Sequence, residues 1–240
     1  MAENLYIVIP AYNEEANIER VVKEWYPIVE KCGNGSKMVV IDDGSKDSTY
    51  QKLLNLVGNM PLLIPLTKAN GGHGSAVLYG YRYALEHGGG YIFQTDSDGQ
   101  TVPGEFDQFW DKRNEYDMII GHRNHREDGL SRIFVTKTLK IVLKCVMGVS
   151  VVDANTPFRL IRRDMLEKCL KIIPENYNLP NVIIAAACEK KGAKVLYLPI
   201  SFKERQGGVN SINIRRIVKI GLGAIKDFRI IKKQIEKVDW

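Results

Sequence analysis

The sequence predicts an α/β protein: a mostly parallel sheet with helices on both faces, followed by an amphipathic helical tail. Three observations predict it. Apolar strand-like runs alternate with helix-like segments through the first half of the chain, the pattern of strands joined by crossover helices. The runs are apolar enough to be buried strands. Their carboxyl ends carry polar or glycine-rich clusters, where open α/β sheets bind ligands.

In chain order, LYIVIPAY (5–12) is the first strand, and 13–31 is a helix with acids in its first turn. A second strand over 36–45 ends in DDGS, and a second helix follows over 46–57. The third strand covers 60–67, and KANGGHG leads from it into a helix over 74–88 that Gly88, Gly89 and Gly90 stop. YIFQT (91–95) is the fourth strand and runs into TDSDGQ. The second half is less regular. YDMIIGHRN (116–124) reads as a strand and 130–149 as an amphipathic helix. PFRLIRRDMLEKCLKI is a strand turning into a helix, 180–192 an apolar helix, and 193–205 a late strand.

The 240 residues suffice for one sizeable domain, and 45% hydrophobic with 26% charged residues is ordinary for a globular protein. No stretch approaches the roughly 18 uninterrupted apolar residues of a membrane span. The amino terminus enters a strand with no basic leader, which reads as no signal peptide. Cys32, Cys145, Cys169 and Cys188 form no CxxC pair; they read as reduced, core-filling thiols of a cytoplasmic protein. The net charge of +6 lies in 212–237, which holds eight basic and two acidic residues, so the body is neutral. The simplest division is a domain over 1–211 and a basic helical tail over 212–240.

Asp96 and Asp98, with Gln100 two residues on, end a strand among other polar strand ends. Two carboxylates and an amide can hold a hard divalent cation, Mg2+ or Mn2+, that relieves their repulsion. The glycine-rich KANGGHGSA opens a helix and can present backbone N–H groups to a phosphate. It lacks the third glycine or alanine of a dinucleotide site and the lysine of a P-loop, which disfavours both classes. A nucleic-acid binder is disfavoured by the neutral body and the lack of a recognised motif.

IPAYNEE, VVIDDGSKDST, NGGHGSA and TDSDGQ, in that order and spacing, resemble the family 2 glycosyltransferases. The later GHR, PFRLIRRD and FKERQGGVNSIN look like the branch that includes dolichol-phosphate mannosyltransferase and bacterial polyprenyl-phosphate glycosyltransferases. The resemblance covers roughly residues 4–212. It implies the GT-A (Rossmann-like) fold, a mixed, mostly parallel sheet. It also implies metal-dependent, inverting transfer of a sugar from a UDP- or GDP-linked donor. Pro10, Ala11, Tyr12, Glu14 and Gly71 would then line the donor pocket, with Asp42 on the base and Asp43 shaping the turn. Asp96, Asp98 and Gln100 would bind metal and diphosphate, Asp98 also acting in catalysis. Arg123, Arg132, Arg205 and Ser211 would anchor an acceptor phosphate, Arg205 also acting in catalysis.

The acceptor it implies is a polyprenyl phosphate; a glycan hydroxyl is the alternative. A hydroxyl needs a base, whereas a phosphate monoester is already largely dianionic near neutral pH and needs positive charge to position it. Asp153 is placed either to act as that base or to order an arginine or the metal shell, and both readings stand. A donor-binding module without catalysis is a further alternative, opposed by the intact Asp96, Asp98 and Gln100. Asp47 reads as a helix cap, Glu15 as a complement to a helix dipole, and Arg162 and Arg163 as a solvated face. His73 reads as a loop residue; His122 and His125 receive no role. The tail either lies on an anionic membrane surface, packs on the domain or forms a dimer seam. A lipid acceptor would place the enzyme peripherally on the cytoplasmic membrane face, docked directly or through a partner protein.

Overall fold

The computed structural model describes residues 3–123, 138–203, 214–238 and 240, with the backbone alone for Arg123 and for 214–224. Seven strands form one sheet: β1 (Leu5–Ala11), β2 (Lys37–Asp42), β3 (Leu63–Thr67), β4 (Tyr91–Gln94), β5 (Met118–Arg123), β6 (Arg159–Arg162) and β7 (Val195–Ile200). Their order is β3-β2-β1-β4-β6-β5-β7. β1 pairs in parallel with β2 and β4, β2 with β3, and β5 with β7, while β6 is antiparallel to both β4 and β5. All strands but β6 therefore finish at one edge of the sheet. The chain builds outward from β1 to β3 and then returns to β1's other side with β4, which opens a crevice between the ends of β1 and β4.

Alternation along each strand divides the core in two. Leu5, Ile7 and Ile9 face one cluster with Met38, Val40 and Phe93; Tyr6 and Val8 face the other with Val39, Ile41 and Ile92. The first face is covered by α1 (Ile18–Cys32), which buries Ile18, Val21, Val22, Trp25, Tyr26 and Val29 at helical spacing. Trp25, Phe93, Phe106, Phe109 and Phe158 pack there edge-on or tilted, the closest pairs 4.8 Å between ring centres. Each such ring adds about 1.5–3 kcal/mol by burial. Beside α1 lie α2 (Thr49–Val57) and the one-turn α4 (Asp107–Trp110).

The second face is covered by α3 (His73–Glu86), α5 (Arg163–Leu170) and α6 (Pro180–Lys190). Glycine lets α3 sit very close to the sheet. A Cβ on Gly80 would lie 2.5 Å from Val8 and 2.6 Å from Ile41, which no side chain tolerates. This close approach brings the first turn of α3 to the crevice.

The first helix starts at Ile18 rather than 13, because Asn13 takes a left-handed φ of 53° and the Glu14 carbonyl accepts the Asn17 and Ile18 N–H groups as a turn. Within the expected 130–149 helix, residues 138–142 are helical and continue as a π-helical turn over Leu143–Met147, stopped by Gly148 at φ 75°. The last helix, α7 (Ile214–Lys237), buries Phe228, Ile231 and Ile235 in the second cluster with Leu143 and Met147. Among the described residues no helix is long and apolar enough to cross a membrane.

Candidate active site

The crevice between β1 and β4 is a cleft of about 270 Å³. β1 and its exit loop supply Pro10, Ala11, Tyr12 and Glu14; the turn after β2 supplies Asp43; α3 supplies His73 and Ala76; the loop after β4 supplies Asp96, Ser97 and Asp98. Seven of these ten were expected as donor or metal residues. His73, Ala76 and Ser97 were not.

Carboxylates fold the loops on this edge. Asp43, only 2% exposed, accepts the N–H groups of Gly71 (3.0 Å) and Gly72 (2.7 Å) and the Lys68 ammonium (2.6 Å). The glycine-rich loop is thus bent around Asp43, and the Gly71 amide is spent on it. Gly44 must be glycine: its φ is 69°, and a Cβ would stand 2.9 Å from the Asn70 nitrogen. Asp42, also 2% exposed, accepts the Thr67 hydroxyl (2.8 Å) and lies behind the cleft rather than lining it. Asp47 accepts the N–H of Thr49, first residue of α2, at 3.0 Å and that of Glu15 at 3.1 Å. Burial pushes its carboxyl pKa up, but a bond from the Thr49 hydroxyl, together with these N–H bonds, outweighs it and holds the carboxyl below its ordinary value. Glu15 precedes α1 and accepts the Ser48 N–H at 3.0 Å.

β4 ends at Gln94, and the chain then turns through Gly99, whose φ is 72°. The Arg20 guanidinium fills the space a Cβ there would need. Asp98 accepts the Gln100 N–H at 3.1 Å. Gln100 is pinned to the chain just beyond β7, donating Nε2 to the Lys203 carbonyl (2.9 Å) while its own carbonyl accepts the Lys203 N–H (2.8 Å). Asp96 and Asp98 are left half-buried on one wall. His73 opens α3 across from them, its Nε2 3.9 Å from Asp96. A helix N-terminus carries about half a positive charge and favours an anion. The wall therefore sets two hard carboxylates against an anion-favouring helix end, which suits a divalent ion shared with a phosphate. Among the described residues no three His, Cys, Asp or Glu side chains form a ready-made cage. Two carboxylates fit magnesium or manganese, which completes its shell with phosphate and water.

Asp153 is 4% exposed and accepts the Thr156 hydroxyl at 3.2 Å. Beside it Arg159, fully buried at the start of β6, donates to the carbonyls of Ala154, Thr156 and Asn181 at 2.6–3.0 Å. Burial lowers the Arg159 pKa, while Tyr81 and Asp153 favour its charge. In the sequence the only trace of this centre is a charge inside the apolar FRLI. Arg162 pairs with Asp117 and Asp164, and Arg163 with Glu167; both are anchored rather than loosely solvated. Arg123 ends β5 at the cleft edge of the sheet. Arg132, Arg205, Ser211 and His125 lie outside the described residues.

A family model described as "Glycosyl transferase family 2" matches residues 6–170. The chain is 24% identical over 221 residues to an undecaprenyl-phosphate 4-deoxy-4-formamido-L-arabinose transferase of Pectobacterium atrosepticum, covering 91% of this chain and 65% of that protein. The corresponding protein of Salmonella paratyphi B is 23% identical, over 89% of this chain and 64% of its own length. The chain thus spans slightly less than two thirds of the curated relatives it matches. Among solved structures, glucosyl-3-phosphoglycerate synthase of Mycobacterium tuberculosis, crystallised with Mn2+, UDP and phosphoglyceric acid, superimposes with a TM-score of 0.68 at 15% identity. That match covers 96% of this chain and 78% of the other. TarS of S. aureus with UDP-GlcNAc gives 0.60 at 18% identity, covering 97% and 70%. At these identities the likeness is one of fold.

Proposed function

We propose that this chain, which belongs to glycosyl transferase family 2, transfers a sugar from a nucleoside diphosphate donor to a polyprenyl phosphate with inversion at the anomeric carbon. One observation carries the reading. Asp96 and Asp98 stand at the β1–β4 crevice, the switch point of the sheet, opposite the first turn of α3. The names of the curated relatives support the lipid phosphate. The solved structures of like fold that hold UDP favour a uridine donor.

In this reading Pro10, Ala11 and the half-exposed Tyr12 form the wall for the nucleoside. Asp42 and Asp43 act mainly by holding the loops that shape it. Asp96 and Asp98, with Gln100 beside them, would hold Mg2+ or Mn2+, which when bound supplies Lewis-acid stabilisation of the departing diphosphate. The first turn of α3 and His73 favour the same anion from the other side. A phosphate acceptor brings its own charged oxygen and needs no proton removed. That agrees with Asp153, which is buried beside Arg159 and takes the ordering role. Arg123, Arg132, Arg205 and Ser211 are the proposed anchors of the acceptor phosphate. A lipid-linked acceptor places the reaction at the cytoplasmic face of a membrane.

The test is transfer from labelled UDP- and GDP-sugars to a short-chain polyprenyl phosphate, with Mn2+ or with EDTA. The expected result is metal-dependent labelling of the lipid from one donor, abolished in Asp98→Ala while the melting temperature stays within a few degrees of wild type. Full activity of Asp98→Ala, or labelling of a glycan hydroxyl in place of the lipid, overturns the reading.

A further inference from the structure

We propose that the outward faces of two packed helices, residues 138–147 and α7, form the surface with which this protein docks on an anionic lipid bilayer. The apolar stripe of α7 is not available for that purpose over residues 225–238. Phe228, Ile231 and Ile235 are buried in the domain core against Leu143 and Met147. Lys190 ties the two helices together, donating to the Met147 carbonyl at 3.2 Å and pairing with Glu236 at 3.3 Å.

What the helices leave outside is a different face. On α7 it carries Lys226, Arg229, Lys233 and Lys237 around Ile230, opposite the buried stripe by helical geometry. On residues 138–147 it carries Lys140 and Lys144 around Ile141. Ile141 is 64% exposed and Ile230 50%, the two most exposed large apolar side chains among the described residues. The faces carry six cations and no acid. The two acids of the described part of α7 are exposed but lie outside this face by helical geometry: Glu236 pairs with Lys190, and Asp227 stands near Tyr177, whose pKa is pushed up first by burial and then by Asp227. Cations ringing isolated isoleucines match the headgroup boundary of an anionic membrane, where charge attracts and short apolar groups insert. A nucleic acid would use the cations but give Ile141 and Ile230 no apolar partner.

The placement also suits the chemistry. Met147 precedes Asp153 by six residues, a span of about 20 Å at most. The bilayer would therefore lie within reach of the edge where a lipid phosphate must enter. This deepens the reading of a lipid acceptor and rests on it for that purpose, but the docking itself is measured separately.

The experiment is vesicle flotation of the full chain with phosphatidylcholine alone and with added phosphatidylglycerol. Binding is expected only with phosphatidylglycerol and should fall in high salt, which screens surface charge. Lys226→Gln/Lys233→Gln should weaken partitioning about 25-fold, near fivefold for each cation. Its melting temperature and its transfer to a water-soluble short-chain acceptor should be unchanged. A fluorophore on the exposed Cys145, in a Cys32→Ser background, should shift to the blue on anionic vesicles. No binding, equal binding to neutral vesicles, or wild-type binding of the double variant overturns the proposal. So does a dimer that Ile230→Asp dissociates, which would assign the face to a second copy. Vesicle binding without sugar transfer leaves the docking face standing and sinks the lipid-acceptor chemistry. Transfer without vesicle binding does the reverse.

Discussion

The two sides of the sheet hold their loops with opposite charges. At the ends of β1, β2 and β4, carboxylates collect backbone N–H groups: Asp43 those of Gly71 and Gly72, Asp47 those of Thr49 and Glu15, Asp98 that of Gln100. At the start of β6, a buried cation collects backbone carbonyls: Arg159 binds Ala154, Thr156 and Asn181. The carboxylates sit at a rim and can share their field with a bound cation. Arg159 has no solvent on any side, so its whole charge depends on the carbonyls and on Asp153. The contrast teaches that the donor side spreads its loop contacts over several carboxylates, whereas the β6 side turns on one group.

Breaking that group should therefore have the largest effect. Arg159→Met would leave three buried carbonyls and Asp153 without their cation. Removing one partner from a buried ionic centre costs about 3–5 kcal/mol. Urea unfolding should show that loss, and Arg159→Lys should recover only part of it, since an ammonium cannot reach the carbonyls with a planar fork. A loss below about 1 kcal/mol would end the contrast between the two sides.

Asp43→Ala comes next. Three donors lose a buried acceptor, yet Lys68 keeps a path to water and the glycine loop can hydrate. The expected loss is about 2–3 kcal/mol, with a raised donor KM, because the loop that opens α3 is no longer bent toward the cleft. Equal losses for Asp43→Ala and Arg159→Met would show that a path to solvent does not soften the loss of a buried charge.

The same contrast decides what was legible in the sequence. Asp47 with Thr49 and Asp98 with Gln100 are bonds of two residues' reach, so residue type and spacing announce them. The alternation of strands and helices over 5–95 was readable for a similar reason, since each unit closes on its neighbour. Arg159 was not readable as a centre, because Asn181 comes from a helix 22 residues further on and no local motif marks it. His73 looked like a loop residue because its role depends on how α3 meets the sheet, and that depends on Gly80 seven residues later. Asp42 looked equivalent to Asp43, but only the strand register, Asp42 opposite Thr67, shows which of the two turns away from the cleft.

The smallest effect is expected at the far edge of the sheet, where both charge types meet in partial solvent. Arg162, the last residue of β6, donates Nε and Nη2 to Asp164 at 2.6 and 2.9 Å and lies 2.7 Å from Asp117. The bond from Arg162, opposed by partial burial, holds the Asp164 carboxyl below its ordinary value. A depressed folded pKa means the unfolded chain binds the proton more readily. The stabilisation is therefore present above the unfolded value of about 3.9 and is lost as pH falls through the lower folded value. Screening by solvent keeps it below about 1 kcal/mol. Asp164→Asn should be slightly less stable than wild type at neutral pH, and the gap should close as the pH drops below about 4. A gap that persists in acid would point to lost geometry rather than lost charge. A gap as large as that of Arg159→Met would mean that partial solvent does not dilute an arginine's hold on its partners, and the difference between rim and core would have to rest on something other than exposure.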